Sequence, residues 1–142
     1  MNVPQRGGCL CGAVRFTLSS APAVQGVSHC RDCQKVSGAT HQTQLAVPAD
    51  GIELSGETRA YARPADSGNV VTRHFCVRCG SPVQSTNSSM PGMVFLRATH
   101  LDDPEAFVPA MEVYTASRPS WGGRFATPVS FEKMPPSDAL PV

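Results

Sequence analysis

Four cysteines in two close pairs, Cys9-Leu10-Cys11 near the amino terminus and Cys76-Val77-Arg78-Cys79 past mid-chain, constrain this 142-residue chain more than any other feature. Zinc takes four ligands, with bonds of about 2.3 Å to sulfur, and two short-range pairs from distant loops deliver a tetrahedral thiolate set without threading the chain. A fold that uses them this way must bring residues 9–11 against residues 76–79. Two disulfides, or four buried free thiols behaving as small hydrophobes, are the other ways to use the same cysteines. Short-range pairs in a chain without an export signal fit metal better than bridges.

The flanking residues support a metal knuckle. On a straight strand a C-x-C holds its sulfurs too far apart, so the backbone is expected to bend at Gly7, Gly8 and Gly12, where bending is cheap. Gly80, directly after the second pair, is expected to take a positive φ and turn backbone N–H groups toward the sulfurs.

A third pair, Cys30-Arg31-Asp32-Cys33, lies in the segment S-H-C-R-D-C-Q-K-V-S-G-A that starts at Ser28. This polar, glycine-ended stretch reads as a loop entering a helical turn over residues 31–36. It is the best candidate for chemistry.

At this length the chain reads as one domain, taken as residues 1–131 followed by a mobile tail over 132–142 that begins near Pro135-Pro136. Twelve Lys+Arg against eleven Asp+Glu give a net charge of +1. The basic residues are scattered, so neither a nucleic-acid groove nor a membrane surface is predicted, because both need concentrated positive charge. The segment Met1 to Arg6 lacks the apolar core of a signal peptide, and no apolar run approaches the roughly 20 residues of a membrane span. A cytoplasmic protein is the expectation, and in that reducing compartment cysteines serve as metal thiolates or reactive thiols.

Thirteen prolines and twelve glycines divide the chain into short runs, and those runs alternate rather than repeat every 3.6 residues. Ala13–Leu18, Thr43–Val47, Ile52–Leu54, Val70–Phe75, Met93–Leu96 and Met111–Tyr114 are the predicted strands. The fold class is therefore all-β: small antiparallel sheets with little helix, organised around the four-cysteine site.

Taken together, the blocks G-G-C-L-C-G-A-V-R-F, H-C-R-D-C-Q-K-V-S-G-A and F-C-V-R-C-G-S-P-V resemble the glutathione-dependent formaldehyde-activating enzymes, a family whose domain is shared with centromere protein V. The similarity runs from about Gly7 to about Phe125. It implies a structural zinc on Cys9, Cys11, Cys76 and Cys79. In active members it also implies a second zinc on three cysteines of a C-H-C-x-x-C motif, with the fourth position open. Aligning that motif puts its first cysteine at Ser28, so this chain keeps Cys30 and Cys33 and offers a neutral hydroxyl, a far poorer zinc ligand than a thiolate. A second zinc here would be labile. His29 is a candidate replacement ligand, although in an extended stretch residue 29 faces away from residues 28 and 30. The family often carries a histidine before an apolar residue and an aromatic, where this chain has Glu112-Val113-Tyr114. Glu112 either changes the charge of the cleft or is an exposed strand carboxylate.

The activity implied is that of a zinc-dependent carbon–sulfur lyase acting on a glutathione or other small thiol adduct, with Ser28, Cys30 and Cys33 at its centre. The departures at Ser28 and Glu112 point to a substrate other than the formaldehyde adduct, or to weakened activity. Two readings from other classes compete: a catalytically inactive, zinc-stabilised binding module, and a Cys30/Cys33 dithiol redox protein. Glutathione carries two carboxylates, so a cleft for it calls for basic residues; Arg31, Lys35, Arg73, Arg118 and Arg124 are the candidates. Tyr114, Trp121 and Phe125 are candidates for a pocket wall or for core. His74 reads as a neighbour of the knuckle rather than a ligand.

Overall fold

The computed structural model describes residues 1–136. Two sheets carry the fold. A small antiparallel sheet has the order β1 (Gln5–Gly8), β2 (Arg15–Leu18), β5 (Ile52–Ser55). A large mixed sheet of eight strands is built from β3 (Val24–Ser28), β4 (Gln42–Pro48), β6 (Thr58–Pro64), β7 (Val70–Cys76), β8 (Pro82–Asn87), β9 (Met93–Arg97), β10 (Met111–Val113) and β11 (Val129–Ser130). Its order is β11-β10-β3-β4-β9-β8-β7-β6. The β10–β3 and β10–β11 pairs are parallel, and the others are antiparallel. One helix, α1 (Arg31–Ser37), joins β3 to β4. It ends at Gly38, whose left-handed φ of 70° closes the last turn with an N–H bond to the Gln34 carbonyl.

The fold is thus mostly β with one short helix, as the alternating runs indicated. The predicted strands recur with shifted ends. Ala13 and Val14 belong to the loop of the first cysteine pair rather than to β2, and Tyr114, predicted as strand, has a left-handed φ of 57° that ends β10. The strands without an expectation lack apolar alternation: β6 is exposed at nearly every position, β8 is rich in Gln, Ser, Thr and Asn, β1 and β3 carry glycine, and β11 has only two residues. Partner strands, not their own hydrophobicity, hold them in place.

Period-2 alternation gives the large sheet two distinct faces. On one face Leu45 and Val47 of β4 pair with Leu96 and Val94 of β9, and pack with Phe16, Leu18 and Val83 into the core against the small sheet. On the other, Gln42, Gln44 and Ala46 of β4 lie beside Arg97 and Phe95 of β9, Ser28 and Gly26 of β3, and Met111 and Val113 of β10, and line a cavity. One face stabilises the domain and the other builds the candidate site.

Gly7 and Gly8 are strand residues in β1, not the predicted bend. A Cβ at Gly7 would run into the His100 carbonyl and the Phe16 ring, so close packing is what requires a glycine there. The turning residue is Gly12, at φ 77°. Part of the predicted tail is tied to the domain: the Ala116 N–H donates to the Glu132 carbonyl at 3.3 Å, and Met134 lines the cavity. The remainder, 137–142, lies outside the described residues. No helix among the described residues is long and apolar enough to cross a membrane.

Gly56 has a φ of 95°, and a Cβ there would collide with the backbone of Ala13 and Val14, beside the first cysteine pair. Gly56→Ala is expected to lower stability by about 2 kcal/mol or more. Gly12→Ala, with a comparable φ but open space around it, is expected to lose only about 1 kcal/mol. Urea melts of the two variants check the difference.

Candidate metal centre and thiol-lined cavity

Cys9 and Cys11 lie in the turn between β1 and β2, where Gly12 donates its N–H to the Cys9 carbonyl at 3.1 Å. Cys76 ends β7 and Cys79 sits in the turn to β8, closed by the Gly80 N–H on the Cys76 carbonyl at 2.9 Å. Gly80 has the expected positive φ, 72°. The four sulfurs all lie within 4.8 Å of one another, with Cys9–Cys11 at 3.6 Å and Cys11–Cys76 at 3.8 Å. Bonds of about 2.3 Å to a central tetrahedral ion require sulfur–sulfur edges of about 3.8 Å, so the cluster has the dimensions to hold a metal ion.

Its surroundings favour thiolate. The Val14 N–H donates to the Cys9 sulfur at 3.3 Å. The Ser81 hydroxyl lies 3.2 Å from the Cys79 sulfur and accepts the Leu10 N–H at 3.2 Å, linking the two turns. The hydroxyl and amide of Ser81, with the Cys11 amide, bring the Cys79 thiol down to about 5. Cys11 goes the other way, to about 11: the Ala13 amide pulls it down, but desolvation and the three neighbouring sulfurs outweigh that. Four thiolates this close repel one another, and a bound cation is what lets all of them ionise together. His74 takes no part; its Nδ1 lies 3.5 Å from the Thr58 hydroxyl.

The third pair lies elsewhere, in the cavity on the opposite face of the large sheet. This cavity measures about 250 Å³, and Ser28, Cys30 and Cys33 all line it. Cys30 caps α1: the Cys33 N–H donates to its sulfur at 3.2 Å. The Cys30 thiol is lowered to about 6, chiefly by the hydrogen bond from the Cys33 thiol, helped by the Cys33 amide and the Ser28 hydroxyl and opposed by burial. Cys33 is pushed well up because its proton serves Cys30 and because it is buried. The pair thus favours the thiolate on Cys30 and the proton on Cys33. Among the described residues, no third Cys, His, Asp or Glu joins Cys30 and Cys33 in a ligand group; the four-cysteine cluster is the one such group.

His29 is fully buried, and its Nε2 meets a Glu112 carboxylate oxygen at 2.7 Å. As the strand alternation indicated, it faces away from the side shared by Ser28 and Cys30 and does not line the cavity. Glu112 is not an exposed strand carboxylate: it is only 3% exposed, and beyond His29 it accepts from Arg118 at 3.0 Å and from the Phe125 N–H at 3.2 Å. The alternation that sends Met111 and Val113 into the cavity sends Glu112 the other way, onto His29. The Gln34 amide donates to the carbonyls of His29 at 2.7 Å and Ser117 at 3.0 Å, fixing the α1 loop to the segment after β10.

Of the predicted basic residues, Arg31 and Arg73 reach the cavity, whereas Arg118 is engaged by Glu112, and Lys35 and Arg124 do not line it. Tyr114 lines it. Phe125 instead packs edge-on against His41 with ring centres 4.8 Å apart, and Trp121 is 80% exposed. Arg97, also in the cavity wall, is the residue that sequence reasoning missed: at the end of a strand predicted only to Leu96, nothing in the local pattern marks it as buried.

Comparison with known proteins agrees with this architecture. Residues 4–117 match the family model described as glutathione-dependent formaldehyde-activating enzyme. A Halomonas elongata protein provisionally named as such an enzyme is 27% identical over 121 residues, covering 81% of this chain and 77% of that protein. A crystal structure of a Rhodobacter sphaeroides protein superposes with a TM-score of 0.55 at 20% identity, covering 71% of this chain and 93% of the other; at that identity the likeness is one of fold. With all three cysteine pairs lying inside the matched span, the chain belongs to the glutathione-dependent formaldehyde-activating enzyme family.

Proposed function

We propose that the cavity makes and breaks the carbon–sulfur bond of a small thiol adduct, a glutathione hemithioacetal or a related molecule, while the four-cysteine cluster holds a structural zinc. The observation that carries the reading is the opening of two thiols, Cys30 and Cys33, into one cavity, with the Cys33 N–H donating to the Cys30 sulfur at 3.2 Å. Glutathione as the source of the thiol is suggested by the family name alone.

The donor set suits zinc at the first site, with four sulfurs at tetrahedral spacing. At the second, two thiols and the Ser28 hydroxyl fall short of a three-thiolate shell, and His29 is engaged by Glu112. The chain's own groups therefore carry the reaction. The Cys30 thiolate takes the hydroxyl proton of the adduct, the oxygen's electron pair closes the carbonyl, and the carbon–sulfur bonding pair leaves on the substrate sulfur. Cys33 gives that sulfur its proton, and the proton on Cys30 passes to Cys33 to restore the pair. The products are an aldehyde and a thiol, with no change of oxidation state. Run backwards, the same steps join them. Ser28, beside Cys30, is placed to hydrogen-bond the reacting oxygen.

Three outcomes are expected. Cys30→Ser should reduce turnover of a hemithioacetal at least ~100-fold with little change in melting temperature, whereas Cys76→Ser should release zinc and unfold the protein; similar losses of stability in both would remove the division of labour. Elemental analysis of protein purified without added metal should find one firmly held zinc per chain, and Ser28→Cys, which supplies a third thiol to the cavity, should raise this to two. Because the working form of Cys30 is the thiolate, with its pKa brought down to about 6, kcat/KM should rise with pH through about 6 and then level off. A profile still climbing from pH 7 to 9 would show that this thiol is not the base.

A further inference from the structure

Arg97 is a buried cation with no acid beside it. It is only 2% exposed, and among the described residues no carboxylate lies within ion-pair distance of it. Its guanidinium donates to the Phe95 carbonyl at 3.1 Å and to the Ser85 hydroxyl at 3.2 Å. With its side-chain amide turned so that the oxygen faces inward, Gln42 brings that oxygen to 3.1 Å from the Gln44 amide and to 2.7, 2.7 and 3.0 Å from the three guanidinium nitrogens, a position over the guanidinium face and off its in-plane N–H bonds. Among the described residues, the five in-plane N–H donors of Arg97 thus have the Phe95 carbonyl and the Ser85 hydroxyl as acceptors. The site is short of hydrogen-bond acceptors and has no carboxylate, the Cys30 and Cys33 sulfurs being the anionic groups that share its cavity, and an enclosed guanidinium short of acceptors is costly.

This deficit lies in the cavity wall. Arg97, Arg73 and Gln44 line the same space as Cys30 and Cys33, and the Gln44 amide nitrogen lies 3.9 Å from the Cys33 sulfur. Arg73 adds to the positive charge: it is 8% exposed, and its carboxylate neighbour, Asp32 at 3.7 Å, is shared with Arg63, also at 3.7 Å. Resting on the thiol-adduct reading above, we propose that Arg97 and Arg73 form a carboxylate subsite in this cavity, so that the adduct preferred is one whose thiol part carries its own carboxylate. An oxyanion there gives Arg97 the acceptors it lacks, with the substrate sulfur held on the Cys30 and Cys33 side.

Alkylation tests the subsite without turnover. Iodoacetate and iodoacetamide both transfer a two-carbon group to a thiolate and release iodide, and they differ in whether that group is a carboxylate or a neutral amide. At Cys30, the ratio of the iodoacetate rate to the iodoacetamide rate, divided by the same ratio for free cysteine, is expected to be ~10 in the unaltered protein, to fall near 1 in Arg97→Gln, and to be largely kept in Arg97→Lys. The ratio cancels any change in the thiol's own reactivity. A ratio near 1 in the unaltered protein, or one unmoved by Arg97→Gln, overturns the subsite. If Cys30 is unreactive or Arg97→Gln does not fold, calorimetric titration of the unaltered protein decides: 3-mercaptopropionate must bind at least ~10-fold more tightly than 3-mercaptopropionamide, and equal affinities overturn the proposal. Inorganic sulfate displacing 3-mercaptopropionate at equal concentration also overturns it, since the site then takes a free oxyanion. Absence of lyase turnover with the alkylation preference intact sinks the functional reading alone. Turnover without the preference sinks the subsite alone.

Discussion

The rest of the structure hangs on the meeting of two turns that lie 65 residues apart in sequence, through the Cys11 and Cys76 sulfurs at 3.8 Å. One turn belongs to the small sheet and the other ends a strand of the large one, so the cluster joins the two layers at their rim. The core between them is thin, built from Leu, Val and one Phe on strands of four to seven residues. Strands this short close few ladder hydrogen bonds, and a metal held by the four cysteines would supply cohesion that burial alone leaves short. The Ser81 hydroxyl and the Leu10 amide carry the same junction outward through hydrogen bonds.

The sequence made the metal cluster legible because metal ligation leaves a local signature: spacing, glycine after the pair, and cysteine itself. The cavity left only part of a signature. Cys30 and Cys33 stand out by the same spacing and Ser28 by departure from a motif, but the walls come from residues of six strands, two of them, β3 and β8, without an expectation. Gln42, Gln44 and Arg97 become one cluster only through the register of β4 and β9, and register is a tertiary property. Gly7 and Gly8 show the converse case. A glycine pair beside a C-x-C suggests a bend, and the need for one was real, but Gly12 supplies it while Gly7 answers a steric demand from the distant His100 segment.

Glu112 illustrates how a substitution can be read correctly as a departure and still be misplaced. On β10 its neighbours Met111 and Val113 face the cavity, so Glu112 faces the opposite side, where His29, Arg118 and the Phe125 amide receive it. Its charge acts on the cleft by anchoring: it holds the imidazole between Ser28 and Cys30 in the chain, and with it the backbone that sets those two side chains in the cavity wall. A carboxylate at this position and a histidine at residue 29 are complementary partners on the side of β10 away from the cavity.

The two faces of the large sheet divide tolerance to change. At Leu45, Val47, Val94 and Leu96 a substitution alters packing against the small sheet and is felt as stability. The intervening positions on the same strands, Gln44, Ala46 and Phe95, meet open cavity, so replacing them reshapes what the cavity admits while leaving the packed layer in place. Drift in substrate preference can therefore proceed on this scaffold by single substitutions at every second residue, without a compensating change in the core.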